Sequence, residues 1–243
     1  MASNLPGEQC VANYDVCLLR AGRLASTCGP LYQQNAGLVT DSIVSMTATP
    51  EIEEGTPVEQ KNGCGDLVFS VNKPDILKSW TLAGVLAFAD VEAMELLFGG
   101  SLILGATGGP FSTKAIGYAA PGKSAAQSNG VALEVVTKAG SGAGGACQVS
   151  GAGSDYPAFT GHIFPKALLT LGERNFQEGI ITVAFTGKAE GNPNYGEGPF
   201  GDWSDTADGD FPEDSGYVQI GYDELPTTGL TVKCGYQNTA PFS

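Results

Sequence analysis

The chain has 243 residues, 42% of them hydrophobic, with 35 glycines and 14 prolines. It is long enough to bury a core without disulfides, as one large β domain or two small ones, and too apolar for intrinsic disorder. A net charge of −14 with a single histidine disfavours groove-tracking DNA binding and attraction to anionic lipid, because such a surface repels phosphate.

Met1 to Gly7 lack the basic start and apolar core of a signal peptide, so no export is expected. Residues 1–35 read as an irregular arm with Cys10, Leu18, Leu19, Leu24 and Leu31 as scattered apolar anchors, or as a plain edge strand. From Leu38, the apolar positions Leu38, Val39, Ile43, Val44 and Met46 predict a strand that Pro50 stops. Asp66–Val71 and Ile76–Ala89 are further strands, the second expected to be buried on both faces or bent at Gly84. Asp90 then stands at an N-cap position and Gly99 at a C-terminal stop, which predicts a two-turn helix.

Strands follow at Ser101–Leu104 and Lys114–Ala119. A stronger one spans Val131–Lys138, where Val131, Leu133, Val135 and Thr137 alternate with Ala132, Glu134, Val136 and Lys138. Phe159–Leu171 and Glu178–Lys188 are expected as a hairpin turning at Leu171–Asn175. The apolar stretch Leu96 to Ala106 is broken by Gly99, Gly100, Ser101 and Gly105 and falls far short of the roughly 20 residues a membrane span needs. A soluble chain is therefore expected. From Ala189 to Val232 there are ten acidic residues and no lysine or arginine, which reads as a solvated acidic loop.

Six cysteines in a chain without an export signal are expected as reduced, mostly buried thiols. Structural zinc is disfavoured, since no Cys-x2-Cys pair occurs and His162 lies far from Cys10, Cys17 and Cys28. The Gly140–Gly145 run precedes no helix, and in Gly105–Lys114 the hydroxyls come before the lysine, so neither makes a phosphate loop. His162, among Phe159, Phe164 and Pro165, reads as a structural histidine with no nucleophile motif beside it. Glu51, Glu53 and Glu54, or Asp202 and Asp205, could form a glycosidase pair only if they flanked a cleft. Asp205, Asp208, Asp210, Glu213 and Asp214 lack the spacing of a calcium loop. Tyr195, Phe200, Trp203, Tyr217 and Tyr222 could form a sugar-stacking platform or an aromatic subunit interface.

Three stretches carry a family resemblance: Ala48-Thr49-Pro50-Glu51-Ile52-Glu53-Glu54-Gly55, Lys61-Asn62-Gly63-Cys64-Gly65-Asp66-Leu67, and the aspartate-led helix ending Leu96-Leu97-Phe98-Gly99-Gly100. Gly144-Gly145-Ala146-Cys147, Phe164-Pro165 and Gly191-Asn192-Pro193-Asn194-Tyr195-Gly196-Glu197-Gly198-Pro199 follow in matching order. Over residues 38–200 the chain resembles virion structural proteins of long-tailed phages of actinobacteria, in particular their major tail tube subunits. The resemblance implies a mainly β chain, a β-sandwich or barrel-like tail tube fold with one flanking helix and long loops. It also implies hexameric rings stacked into a DNA conduit, and no enzyme.

The division expected is an arm over residues 1–35, a tube domain over residues 36–200 and an acidic extension over residues 201–243, either separate or part of the same domain. Subunit contacts are expected at Pro50, Glu51, Ile52, Glu53, Glu54, Asn62 and Trp203. The expected partners are copies of the chain and other tail proteins, with genomic DNA passing through unbound and no membrane, metal or cofactor involved. The expected place is the virion tail, after synthesis in the host cytoplasm. A capsid decoration or neck subunit is the nearest alternative, and a carbohydrate-binding β-sandwich using Trp203 is the alternative from another class.

Overall fold

The computed structural model describes residues 11–87, 91–122, 129–141, 159–175, 181–201, 211–222, 224–226, 236, 237 and 239. Its first strand, β1 (Val11–Arg23), lies between β2 (Gly37–Thr40) and β9 (Val131–Ser141). The main sheet runs in the order β2, β1, β9, β10 (Phe159–Asn175), β11 (Thr182–Glu190), β6 (Ile76–Leu86), β3 (Ile43–Glu53), all neighbours antiparallel. The short β12 (Val218–Tyr222) pairs with the first part of β10.

Only Asp41 and Ser42 join β2 and β3, the two ends of that order. Three peptide units reach at most about 11 Å, so the sheet must roll until its ends meet. Ser42 holds the seam: its carbonyl accepts from Ala87 N at 2.7 Å, and its hydroxyl accepts from Thr40 Oγ1 at 2.9 Å. The barrel interior takes alternate residues: Leu19 and Ala21 of β1, Leu133 and Val135 of β9, Phe164 of β10, Phe185 of β11, Leu82 and Leu86 of β6. Gly84 is where that interior is tightest, since a Cβ there would sit 2.4 Å from Phe185 Cζ.

The helix α1 (Val91–Phe98) adds Met94, Leu96, Leu97 and Phe98 to the same core and closes one end of the barrel. It stops where Gly99 takes φ 72°, its N–H donating to Glu95 O at 2.9 Å. The outer face of β1, β9 and β10 is covered in turn by residues 191–201 and 211–222, with Tyr195 and Phe211 packed on Ala132 and Ile163. β9 is therefore buried on both faces, and a charge facing outward from it must be paired. Glu134 faces Arg20 directly across the β1–β9 ladder and accepts from Arg20 Nε at 2.6 Å and from Tyr222 OH at 2.6 Å.

The molecule is mainly β with one short helix among the described residues, as expected. Several local expectations are corrected. Residues 11–23 form an interior strand of the sheet, neither an irregular arm nor an edge strand. β12 places residues 218–222 in the same sheet, one of the two arrangements expected for that region. Pro50 does not stop β3, because β3 is the terminal strand of the order and a missing N–H on its free edge costs no ladder bond. β6 is not buried on both faces: Ile76 and Leu77 are exposed. β10 runs on to Asn175 through an irregularity between Leu171 and Arg174, so the hairpin turns later than expected. Asp90, the expected N-cap, and the Gly142–Gly153 loop lie outside the described residues.

Candidate functional site

Beyond the barrel, β3 and β6 continue as a two-stranded arm that carries the hairpin β4 (Val58–Lys61) and β5 (Leu67–Val71). Period-two alternation gives the arm two different faces. On one, Glu51 accepts from Ser79 Oγ at 2.6 Å, Thr81 Oγ1 at 2.8 Å and Lys188 Nζ at 2.8 Å. These donors, the Lys188 bond first, bring the Glu51 carboxyl down to about 2. Lys78 and Glu53 pair at 2.7 Å, which lowers the pKa of Glu53 and raises that of Lys78.

The opposite face is apolar. Ala48 stands across from Leu82, Pro50 from Trp80, and Ile52 from Leu77, so the lining of the barrel interior continues outward along the arm. There nothing in the described chain covers it: Ile52 is 59% exposed and Leu77 50%. The hairpin is less strictly divided, with Val58, Gln60, Phe69 and Val71 on one face and Glu59 and Ser70 on the other, all exposed. Its tip is fixed by Asn62, whose Oδ1 accepts from Cys64 N at 3.0 Å and Asp66 N at 2.8 Å. The base of the hairpin is fixed by Gly55, where a Cβ would fall 1.8 Å from Lys73 O and whose N–H donates to Asp75 Oδ1 at 2.8 Å.

A second hairpin, β7 (Ser101–Leu104) with β8 (Ala115–Ala119), follows α1 at the other end of the barrel. It exposes Ile103, Leu104, Phe111 and Ile116. Tyr118 ties it to the helix end, donating to Gly99 O at 2.9 Å. The Gly105–Lys114 stretch is the turn of this hairpin, which accounts for its glycines.

Where the arm leaves the barrel, a cavity of about 320 Å³ opens between Val16, Met46, Ala48, Trp80, Val135, Thr137, His162, Phe164 and Tyr217. His162 is held on both ring nitrogens, by Tyr217 OH at 2.8 Å and Thr137 Oγ1 at 3.2 Å, and burial pushes its pKa down. No carboxylate joins it in the lining.

Of the seven expected contact residues, Pro50, Glu51, Ile52, Glu53 and Glu54 lie on the arm and Asn62 at the tip of the hairpin it carries. Trp203 lies outside the described residues, as do Asp202, Asp205, Asp208 and Asp210. The exposed apolar residues Phe69, Ile76 and Leu77 were not among the expected contacts, although Leu67-Val68-Phe69-Ser70-Val71 signals a strand with one apolar face. Four of the five aromatics expected as a platform or interface are described, and they pack within the chain. Tyr195 packs on Phe211 at 4.6 Å, Tyr217 on Trp80 at 5.0 Å, and Phe200 lies 4.8 Å from the Arg20 guanidinium. The Gly191–Pro199 stretch is a structural clip, with the buried Asn192 donating to Cys28 O at 2.8 Å and Pro165 O at 3.2 Å. Among the described cysteines, Cys17, Cys28 and Cys64 are free but not buried, against expectation.

No family model matches the sequence, and no curated protein is significantly similar to it. Among solved structures, the chain aligns with the tube-terminating cap of the anti-feeding prophage at 11% identity and a TM-score of 0.32, over 77% of this chain and 95% of the cap chain. A likeness at that level establishes neither a common fold nor a common role.

Proposed function

We propose that the chain is a structural subunit of a phage tail tube, joining copies of itself into stacked hexameric rings that form a DNA conduit. The observation that carries this reading is the arm: a two-faced β ribbon whose polar face is satisfied within the chain and whose apolar face is left in water. Monomeric proteins rarely leave contiguous apolar surface uncovered, and such patches mark sites of association. A second apolar hairpin at the helix end of the barrel gives the subunit one adhesive element at each end, the arrangement that lets identical units repeat along an axis.

The charge fits the same role. At −14 the subunit repels phosphate, so a lumen built from it passes DNA without holding it. The virion setting and the tail tube assignment come from the sequence resemblance. A carbohydrate-binding reading is weakened by the four aromatic rings that are spent on internal packing. Negative-stain microscopy of the purified chain tests the proposal. Rings or tubes of constant diameter are expected, and isolated particles in every buffer and at every concentration would refute it.

A further inference from the structure

The cavity at the arm's root has the features of a socket. Its lining is the open end of the barrel interior, opposite the end that α1 closes. Along β1, Val16 lines the cavity and Arg23 reaches Glu95 of α1, seven residues or about 23 Å apart at strand rise. The exposed Ala48 stands at the rim, so the cavity communicates with the uncovered apolar face of the arm. Its volume is at the small end of ligand-sized clefts.

One polar atom in it lacks a partner. Trp80 Nε1 is buried and bonded to nothing among the described residues. A buried N–H without an acceptor costs about 1–3 kcal/mol, so an occupant that completes this site should bring a carbonyl as well as an apolar group.

The chain itself supplies such an occupant. Phe69 is 51% exposed on the β4–β5 hairpin, across from Gln60 and on the face it shares with Val58 and Val71. That hairpin is a sheet of only two strands, so the outer edge of each presents carbonyls free of ladder bonds. With half its surface in water, Phe69 does not enter the cavity of its own chain. We propose that the cavity of one copy receives the β4–β5 hairpin of a second copy, with Phe69 filling it and an edge carbonyl accepting from Trp80 Nε1. The inference rests on the reading above that copies of the chain associate. The contact is heterologous, hairpin to socket, so each added copy leaves one free hairpin and one free socket, and growth ends only on closure.

Two variants at exposed positions separate the halves of the contact. Phe69→Asp removes the plug and Ala48→Arg blocks the rim, and unchanged thermal unfolding and near-ultraviolet circular dichroism show that each still folds. Size-exclusion chromatography with light scattering should find self-association weakened about 30-fold or more in either variant alone. An equimolar mixture retains one intact hairpin and one intact socket, so it should give a dimer and nothing larger. In a Trp203→Phe background, Trp80 is the remaining tryptophan of two. Its emission should shift to the blue in the mixture and in neither variant by itself. Rings that form equally well from both variants overturn the socket and leave self-assembly standing. A mixture that stays monomeric, or an unchanged Trp80 emission, also overturns it. A complementing dimer from a parent chain that never forms rings would instead uphold the socket and remove the tube.

Discussion

Replacing Arg20 by methionine strands Glu134 inside the outer layer, and its cost can be worked from the contacts. Arg20 is 1% exposed and Glu134 3%. The carboxylate takes Nε of Arg20 at 2.6 Å, a second guanidinium bond from Nη2, and the Tyr222 hydroxyl at 2.6 Å. The guanidinium also lies over the Phe200 ring at 4.8 Å. Arg20→Met keeps an apolar stem there but leaves a buried carboxylate with one hydroxyl donor, and breaking a buried pair in this way costs about 3–5 kcal/mol. At an m-value of about 3 kcal/mol per M, urea denaturation followed by circular dichroism should show the midpoint lowered by about 1–1.7 M. The double variant Arg20→Met with Glu134→Leu removes both charges and should recover most of that loss, short by about 1 kcal/mol for the hydrogen bond that Tyr222 no longer donates to Glu134. A single variant within about 1 kcal/mol of the parent would refute the reasoning, because surface ion pairs are worth no more than that.

Glu51 has an ordinary pKa of 4.5 and a folded one of about 2, so its contribution to stability is complete above pH 4.5 and is lost as the pH falls toward 2. Carbon NMR of the Glu51 carboxyl should titrate near 2 and move upward in Lys188→Ala, while an unmoved midpoint would show that Lys188 does not hold it. His162 is the only histidine, and its folded pKa lies below 6.5, so the unfolded chain takes up its proton first and stability falls as the pH drops below 6.5. Proton NMR of its ring should give a midpoint below 6.5, and a midpoint above it would contradict the burial. Gly55→Ala would place a Cβ 1.8 Å from Lys73 O and displace the base of the β4–β5 hairpin. Assembly should be lost while the barrel's unfolding temperature changes by no more than a few degrees, and intact assembly would show that the hairpin's direction is immaterial.

The elements read best from the sequence are those whose own residues settle them. Val131 to Lys138 alternates cleanly, and Gly99 ends α1 because its positive φ closes the helix with a backbone bond. β1 was illegible for the opposite reason. Its outward position is filled by Arg20, which looks like solvent-facing charge until Glu134, 114 residues away, is placed against it. Pro50 signals a stop in any strand with two neighbours, and only the sheet order shows that β3 has one free edge. Alternation alone does not show that the arm's apolar face lies beyond the barrel. Ile52 and Leu77 carry the same pattern as Leu82, which is fully buried, and what separates them is where the strands leave the core. The clustered aromatics misled because a sequence lists rings without their partners, and Arg20, His162 and Trp80 are those partners.

Sedimentation velocity of the parent chain over a concentration series, at low and high salt, bears most directly on whether this molecule works by fitting copies of itself. Discrete species larger than one chain, growing with concentration and surviving high salt because the contact is apolar, are the predicted result. A single boundary of monomer size under every condition would contradict it.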